Sequence, residues 1–303
     1  MASTISTVNQ TTVDAKVIPA LRYFMQALRT FSVQVDANGR IQDDVMYVPV
    51  ATDPSAASKT AGTAGTAGGT IAGTAVTLSN FYYTAWDANE AKIAPPLFPN
   101  YWADKVAGGV YGLAKQVVDA ALNLITGANY GTTVGSDLLI VPAADFGQGD
   151  LALLWEYAST KIKQREMTLG LNAAYAGALF GSSSIALAYG GTGAQFMQTG
   201  VLPAVLGMPS WCYPGFPSNS ENLGGAVIGR GAIAVAVAPQ AALMQAGDGD
   251  IIERRIITDP ESGLSVLYTM TGAGGGNVHG ECNLLYGVAK VQDAVVRLAS
   301  AAI

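Results

Sequence analysis

Residues 58–75 read SKTAGTAGTAGGTIAGTA, a run of Gly, Thr and Ala with no bulky side chain before Ile71. Such a segment cannot carry a core of its own, because Gly and Ala bury too little apolar surface to offset the entropy lost on ordering. Its flanks have the opposite character. A turn marked by Asn38-Gly39 leads into extended chain at 44–51 (DVMYVPVA), and 77–86 (TLSNFYYTAW) is aromatic and strand-like. Strand, low-complexity tip, strand describes a long hairpin reaching away from the body, or two strands separated by an unstructured insertion. In either case the core must be built from the rest of the chain.

That remainder is poor in charge. Hydrophobic residues make up 50% of the sequence and charged residues 13%, against a usual charged share of about 25%. The mean hydropathy is +0.30. Uncharged surface in excess of what a core needs goes to a bilayer or to other subunits. No charge occurs between Glu166 and Glu221, but that stretch is broken by Gly181-Ser182-Ser183-Ser184, by Gly190-Gly191-Thr192-Gly193 and by the prolines of 209–217. Its best candidate span, 169–189, is largely Ala, Gly and Ser, whereas a membrane helix needs about 20 predominantly apolar residues with anchoring flanks. No membrane partner is therefore expected. The opening MASTISTVNQTT has neither a basic nor an apolar region of the kind a signal peptide needs, so none is expected. Subunit contact is the better destination for the apolar surface.

The net charge of −6 excludes a dedicated nucleic-acid binder, since affinity for phosphate comes from Lys and Arg. Cys212 and Cys282 have no CxxC spacing and are expected to be two buried thiols of a reducing compartment.

Periodicity predicts a short amphipathic helix over 13–31, with Pro19 in its first turn, and a strand at 31–35. The strongest helix is 101–125 (YWADKVAGGVYGLAKQVVDAALNLI), where Val106, Val110, Leu113, Val117, Ala121 and Leu124 keep one face apolar. Gly108-Gly109 in its middle implies a kink or a close packing contact. A strand follows at 137–141, a helix at 149–167 capped by Asp150, a further helix at 172–180 and a strand at 185–189. Residues 225–237 (GAVIGRGAIAVAV) form a strand pair or one bent strand. The end of the chain is β: 250–258 (DIIERRIIT), a DPESG turn, 264–271, 277–288 and 294–298.

No catalytic constellation emerges from the side chains. The sequence holds one histidine, His279, in a strand, with Cys282 three residues on and so facing the other way. Zinc would need four N or S ligands, and only three such residues exist. The glycine runs at 190–193 and 272–280 lack the lysine and the strand-to-helix context of a phosphate loop. No catalytic, cofactor-binding or metal residues are assigned, and the chain is not expected to be an enzyme.

The order of segments resembles the major capsid proteins of tailed bacteriophages, whose fold is shared with the herpesvirus capsid floor and encapsulins. The likeness spans nearly the whole chain, and its closing LLYGVAKVQDAVVRLAS (284–300) is similar to the ending of many such proteins. The resemblance implies an α+β capsid fold: an N-terminal arm with a short helix (1–36), an extended β-hairpin or E-loop (37–100) and the spine helix of a peripheral domain (101–135). It then implies an α/β axial domain (136–247), the peripheral β-hairpin and long strand (248–288), and a C-terminal strand returning to the axial domain (289–303).

By the same resemblance, the function is to build the icosahedral head around double-stranded DNA, in a virion assembled in the host bacterial cytoplasm. Its partners would be copies of itself in hexamers and pentamers, with scaffolding, portal and decoration proteins, and weak non-specific contact with packaged DNA. Candidate contact residues between subunits are Lys59, Phe81, Tyr82 and Trp86 in the hairpin, and Glu253, Arg254 and Arg255, which either set register between subunits or form a solvated strand face. Some relatives crosslink a hairpin lysine to a neighbour's asparagine; Lys59 is the one hairpin lysine before Lys92, no partner is assignable, and crosslinking is not expected here. The alternatives are an encapsulin-type compartment shell and a soluble enzyme with a Gly-rich lid.

Overall fold

The computed structural model describes residues 10–22, 25–28, 30–35, 45–51, 71–89, 92–93, 97–162, 166–181, 204–238, 250–259, 263–274 and 276–301. Lys59, most of the Gly-Thr-Ala run and the expected strand at 185–189 lie outside them. The architecture is mixed α and β: a six-stranded sheet carrying one long helix, a five-stranded sheet and a two-stranded hairpin.

The long helix α3 (Phe98–Asn123) starts three residues before the expected 101, with Pro99 in its first turn, where a missing N–H costs nothing. Trp102, Val106, Val110, Leu113 and Val117 repeat at three- and four-residue intervals and are essentially fully buried. One side of α3 receives α1 (Gln10–Arg22) and the other the six-stranded sheet. Helix α1 starts ahead of the expected 13, which puts Pro19 inside it rather than in the first turn, and the chain resumes as a separate short helix α2 (Met25–Leu28). The interior proline is offset by Val13 and Val17, both completely buried.

The six-stranded sheet runs β1 (Ser32–Val35), β9 (Ile233–Ala238), β12 (Asn277–Lys290), β11 (Ser265–Gly274) and β10 (Asp250–Thr258), with β4 (Asn80–Asn89) on the other side of β12. Alternation along β9 divides its residues between two faces. Ile233, Val235 and Val237 join the core beneath α3, whereas Ala234, Ala236 and Ala238 belong to a second apolar cluster with Met46, Val48, Val76 and Leu78. Those last residues come from the hairpin of β2 (Val45–Ala51) and β3 (Ile71–Thr77), which pair in antiparallel register from Val45↔Thr77 to Ala51↔Ile71. The hairpin base lies very close to the sheet: a Cβ on Gly287 would sit 2.1 Å from the Thr77 carbonyl oxygen. Ala234, Ala236, Ala238 and Gly287 form the seat with Leu285, and at Gly287 no side chain fits.

The span 37–100 is thus divided. Only β2 and β3 pair with each other, while β4, expected within the extended hairpin, is a strand of the body, in register with β12 from Asn89↔Asn277 to Asn80↔Tyr286. The break falls at 78–79, where Ser79 N–H bonds to the Thr77 carbonyl.

The five-stranded sheet has the order β5 (Leu138–Ile140), β13 (Val295–Ala299), β8 (Leu223–Gly229), β6 (Met167–Leu171) and β7 (Ser210–Cys212). Helices α5 (Gln148–Ile162) and α6 (Ala173–Gly181) pack on it, and β8 and β13 are buried along their whole length. Asp150 does not cap α5 from outside. It sits in the first turn and its carboxylate accepts the Gly147 N–H at 2.9 Å, the return half of a capping box. Asn172 caps α6, accepting from Tyr175 N–H at 3.0 Å. Helix α5 ends at 162 rather than 167 because Met167 begins β6.

The segment 225–237 proves to be two strands in different sheets: β8 ends at Gly229, Gly231 takes a φ of +82°, and β9 begins at Ile233. The link from β12 to β13 crosses beside it, with Val291 and Gln292 N–H both donating to the Ala232 carbonyl.

The adjacent Gly108 and Gly109 of α3 make opposite predictions. A Cβ at Gly109 would lie 2.7 Å from Thr84 Oγ1 and 3.1 Å from Trp86 Cζ3, whereas Gly108 has open space. Gly109→Val should lower stability by about 1–3 kcal/mol by pushing α3 off β4. Gly108→Ala should raise it by up to about 1 kcal/mol. Urea unfolding of the two variants checks both signs.

Candidate assembly surfaces and the junction between the sheets

The two sheets meet where α3 ends. Past Asn123 the chain turns into α4 (Gly127–Tyr130), a single turn whose Thr126 cap accepts from Asn129 N–H. Residues 218–222 close over this point. Of four non-glycine residues with positive φ among the described residues, three are here: Asn219 (52°), Ser220 (56°) and Asn222 (53°). Each such residue stores of order 1 kcal/mol or more, held only where neighbours over-determine it. The neighbours do so. Asn219 Nδ2 donates to the carbonyls of Leu122 (3.0 Å) and Ile125 (2.7 Å), satisfying the open end of α3. Both Glu221 carboxylate oxygens accept the Gly127 N–H, at 2.9 and 2.8 Å.

Beneath Glu221 lies Arg297 of β13, which is completely buried. It donates to the Glu221 carboxylate and, at 2.6 Å, to the Gly131 carbonyl, while its Nε has no partner among the described residues. Burial pulls its pKa down, against the opposing pull of Glu221 and Asp137. Lys161 of α5 completes the cluster, donating to the Tyr130 carbonyl (2.6 Å) and Asp137 (2.8 Å) and standing 3.1 Å from Asp293. Tyr130 in turn donates to the Ala232 carbonyl, at the crossover itself. Burial alone would raise the Asp137 carboxyl, but Lys161 and hydrogen bonds from Thr133 hold it below its ordinary value. None of these residues was singled out by sequence. Their partners are remote in the chain, and an isolated Arg in a valine-rich strand carries no local signal.

The candidate contact residues fall in three places. Register puts Phe81, Tyr83, Ala85 and Asp87 on the face of the six-stranded sheet away from α3, and Phe81 and Tyr83 are 53% and 64% exposed. Tyr82 lies on the other face, stacked on Tyr286 at 5.8 Å, and stays partly exposed. Trp86 is partly buried: it packs 5.7 Å from Trp102 and against the core.

Glu253 and Arg255 also turn inward, facing Met270 and Tyr268 across β10–β11. Arg255 pairs with Asp14 of α1 at 2.9 Å and stands 3.2 Å from Glu253. Burial pushes the Glu253 carboxyl above the usual range, with Arg255 opposing this and Asp14 adding to it. Arg254 points outward with Ile256, and Ile251 and Ile252 flank a bulge, all exposed. Tyr47, Tyr83, Trp155 and the three exposed isoleucines were missed. Period-2 alternation would have found Tyr83 from Phe81, since both sit on one face.

Cys282 is buried as expected, but Cys212, at the end of β7, is exposed. His279 pairs with Asp87 across β12–β4, Nδ1 to Oδ1 2.7 Å, with Glu281 3.8 Å from Nε2. Among the described residues no cluster of His, Cys, Asp or Glu could hold a metal ion, and no helix is long and apolar enough to cross a membrane.

This arrangement, with a long helix laid on an antiparallel sheet, a hairpin seated on its far face and a second α/β sheet reached by paired crossovers, is the major-capsid fold of tailed phages. The capsid asymmetric unit of cyanophage A-1(L) superposes with a TM-score of 0.56 at 13% identity, covering 94% of each chain. The capsid of cyanophage P-SCSP1u gives 0.56 at 13% identity, over 90% of this chain and 87% of that one. The capsid of Ralstonia phage GP4 gives 0.52 at 12% identity, over 93% and 91%. No protein-family model and no curated protein matches the sequence.

Two predictions concern the junction. Arg297→Met strands Glu221 and should cost about 3–5 kcal/mol in urea unfolding, as expected for breaking a buried pair. Asp137 has a lowered folded pKa, so its contribution is complete above the unfolded value near 4 and disappears as pH falls through the folded one. The melting-temperature gap between the parent and Asp137→Asn should stay constant above about pH 5 and shrink below about pH 4.

Proposed function

We propose that this chain is a major capsid subunit that self-assembles into the icosahedral head of a tailed phage, around its double-stranded DNA. The observation that carries the reading is the structural likeness to phage capsid subunits, which covers 94% of both chains for cyanophage A-1(L) and 90% and 87% for cyanophage P-SCSP1u. In this reading α1 belongs to the N-terminal arm, β2–β3 with residues 52–70 is the E-loop, α3 is the spine helix, the six-stranded sheet is the peripheral domain and the five-stranded sheet the axial domain. The chain works as architecture rather than as an enzyme, located in the virion after assembly in the host cytoplasm. Hexamers and pentamers of itself are the primary partners, with scaffolding, portal and decoration proteins as further ones and weak, non-specific DNA contact on the inner face.

Physical chemistry supports the same reading. The hairpin base is seated on alanines and glycine, but residues 58–70 hold no side chain that could form a core, so their ordering needs a neighbour's surface. Exposed Phe81, Tyr83 and Tyr47 lie close to that base in sequence and offer aromatic surface of the kind interfaces use.

Electron microscopy of the expressed protein, alone and with a co-expressed scaffold, tests the proposal. Closed particles or hexamer–pentamer sheets are expected, and a monomer under all conditions would refute it. Excising residues 58–68 should leave the far-UV circular dichroism unchanged and impair particle formation; normal particles would show that this segment is dispensable.

A further inference from the structure

Strand β10 is an edge. It pairs with β11 alone, so one side of its backbone has no strand beside it among the described residues. Long exposed edges are usually blunted by charge or proline, or kept short. This one is nine residues long and exposes Ile251, Ile252 and Ile256 at 46%, 39% and 42%. Its one irregularity, the bulge at 251–253, sits at the end of the strand and leaves 253–258 regular.

Two further observations say what the edge fits. The first is the order of residues, Asp-Ile-Ile-Glu-Arg-Arg-Ile-Ile-Thr, which is nearly two-fold symmetric about Arg254. Laid antiparallel on a second copy with Arg254 at the axis, it sets Glu253 opposite Arg255 and Ile252 opposite Ile256, each pair occurring twice. Directly opposed residues share a face, so the charged pairs meet on the α3 side and the isoleucines on the outer side. The second is an unmet demand. Glu253 Oε1 and Arg255 Nε and Nη2 are buried without a hydrogen-bond partner among the described residues, although the two side chains stand 3.2 Å apart, because they are not aligned for a bond. A second strand would set Glu253 and Arg255 of one copy opposite Arg255 and Glu253 of the other. Shifting the register by two residues in either direction opposes Arg255 to Arg255 or Glu253 to Glu253, so the charges select the register centred on Arg254.

We infer that β10 is a two-fold contact, on which two copies of this chain join their six-stranded sheets edge to edge, in antiparallel register about Arg254. The contact is isologous, each copy offering the same strand. The inference requires self-association, as the capsid reading does, but not a closed shell.

Disulfide trapping in the full chain tests it, with the exposed Cys212 changed to Ser. Residues at the axis approach their own copy to about 4.5–5.5 Å between Cα atoms, within disulfide reach. Thr258, four residues away on the same face, is separated from its own copy by about 27 Å. The Arg254→Cys variant should therefore oxidise to a covalent dimer while Thr258→Cys stays monomeric. Ile252→Cys should couple to Ile256→Cys only when the two variants are mixed. Adding Ile256→Lys to Arg254→Cys, with circular dichroism unchanged, should abolish the covalent dimer. The inference falls if Arg254→Cys remains monomeric in assembled material or if Thr258→Cys couples equally well. It falls too if mass spectrometry finds the thiol introduced by Arg254→Cys joined to a different segment. Particles in which Arg254→Cys forms no dimer would sink this contact and leave the shell proposal standing; covalent dimers without particles would do the reverse.

Discussion

The buried pair of Arg297 and Glu221 is the constraint on which the relation between the two sheets depends. A guanidinium with no exposed surface costs several kcal/mol to dehydrate unless it is paired. Here one carboxylate and one carbonyl take that role, and the carboxylate comes from a loop held in strained left-handed conformations. Because Glu221 also accepts the first N–H of α4 and Asn219 closes the end of α3, the charge pair, the helix end and the loop stand or fall together. Lys161 adds α5 to the same point, and Tyr130 ties it to the β8–β9 crossover. A long helix on one sheet is in this way fixed in angle to the other.

The outer face of the six-stranded sheet shows a second constraint, that of size. Ala234, Ala236, Ala238 and Gly287 leave room for the hairpin strands to lie almost on the sheet backbone. Among the described residues, the base of the hairpin is secured this way, by Met46, Val48, Val76 and Leu78. The Gly-Thr-Ala segment beyond contributes nothing that could hold it there. Residues 58–70 hold no side chain bulkier than Thr and Lys, so little apolar burial within the chain could offset their ordering.

Local sequence carried much of this. The apolar stripe of α3, the helices α5 and α6, and the strands that open and close the C-terminal β region were legible because each is set by residues within a few positions of one another. Boundaries shifted where tertiary packing outweighed propensity: Pro19 is tolerated inside α1 because Val13 and Val17 are buried against α3. Trp86 read as an exposed hairpin aromatic, and only the pairing of β4 with β12 turned it under α3. Glu253 and Arg255 read as surface charges until the register with β11 set them facing Tyr268 and Asp14.

By itself the sequence determined that this chain has too few charges for an isolated body and no core-forming side chain across its low-complexity run. It also determined a helix–sheet order resembling a shell subunit. Those are properties of composition and short-range periodicity, and they hold whatever the strands pair with. Tertiary structure alone decided that 225–237 is divided between two sheets, that β4 belongs to the body, and that Arg297 is buried beneath Glu221. The physical reason is separation: partners 76 to 192 residues apart, such as Glu221 with Arg297 and Asp87 with His279, leave no periodic trace in either neighbourhood. Their meeting is fixed only when the whole chain closes on itself.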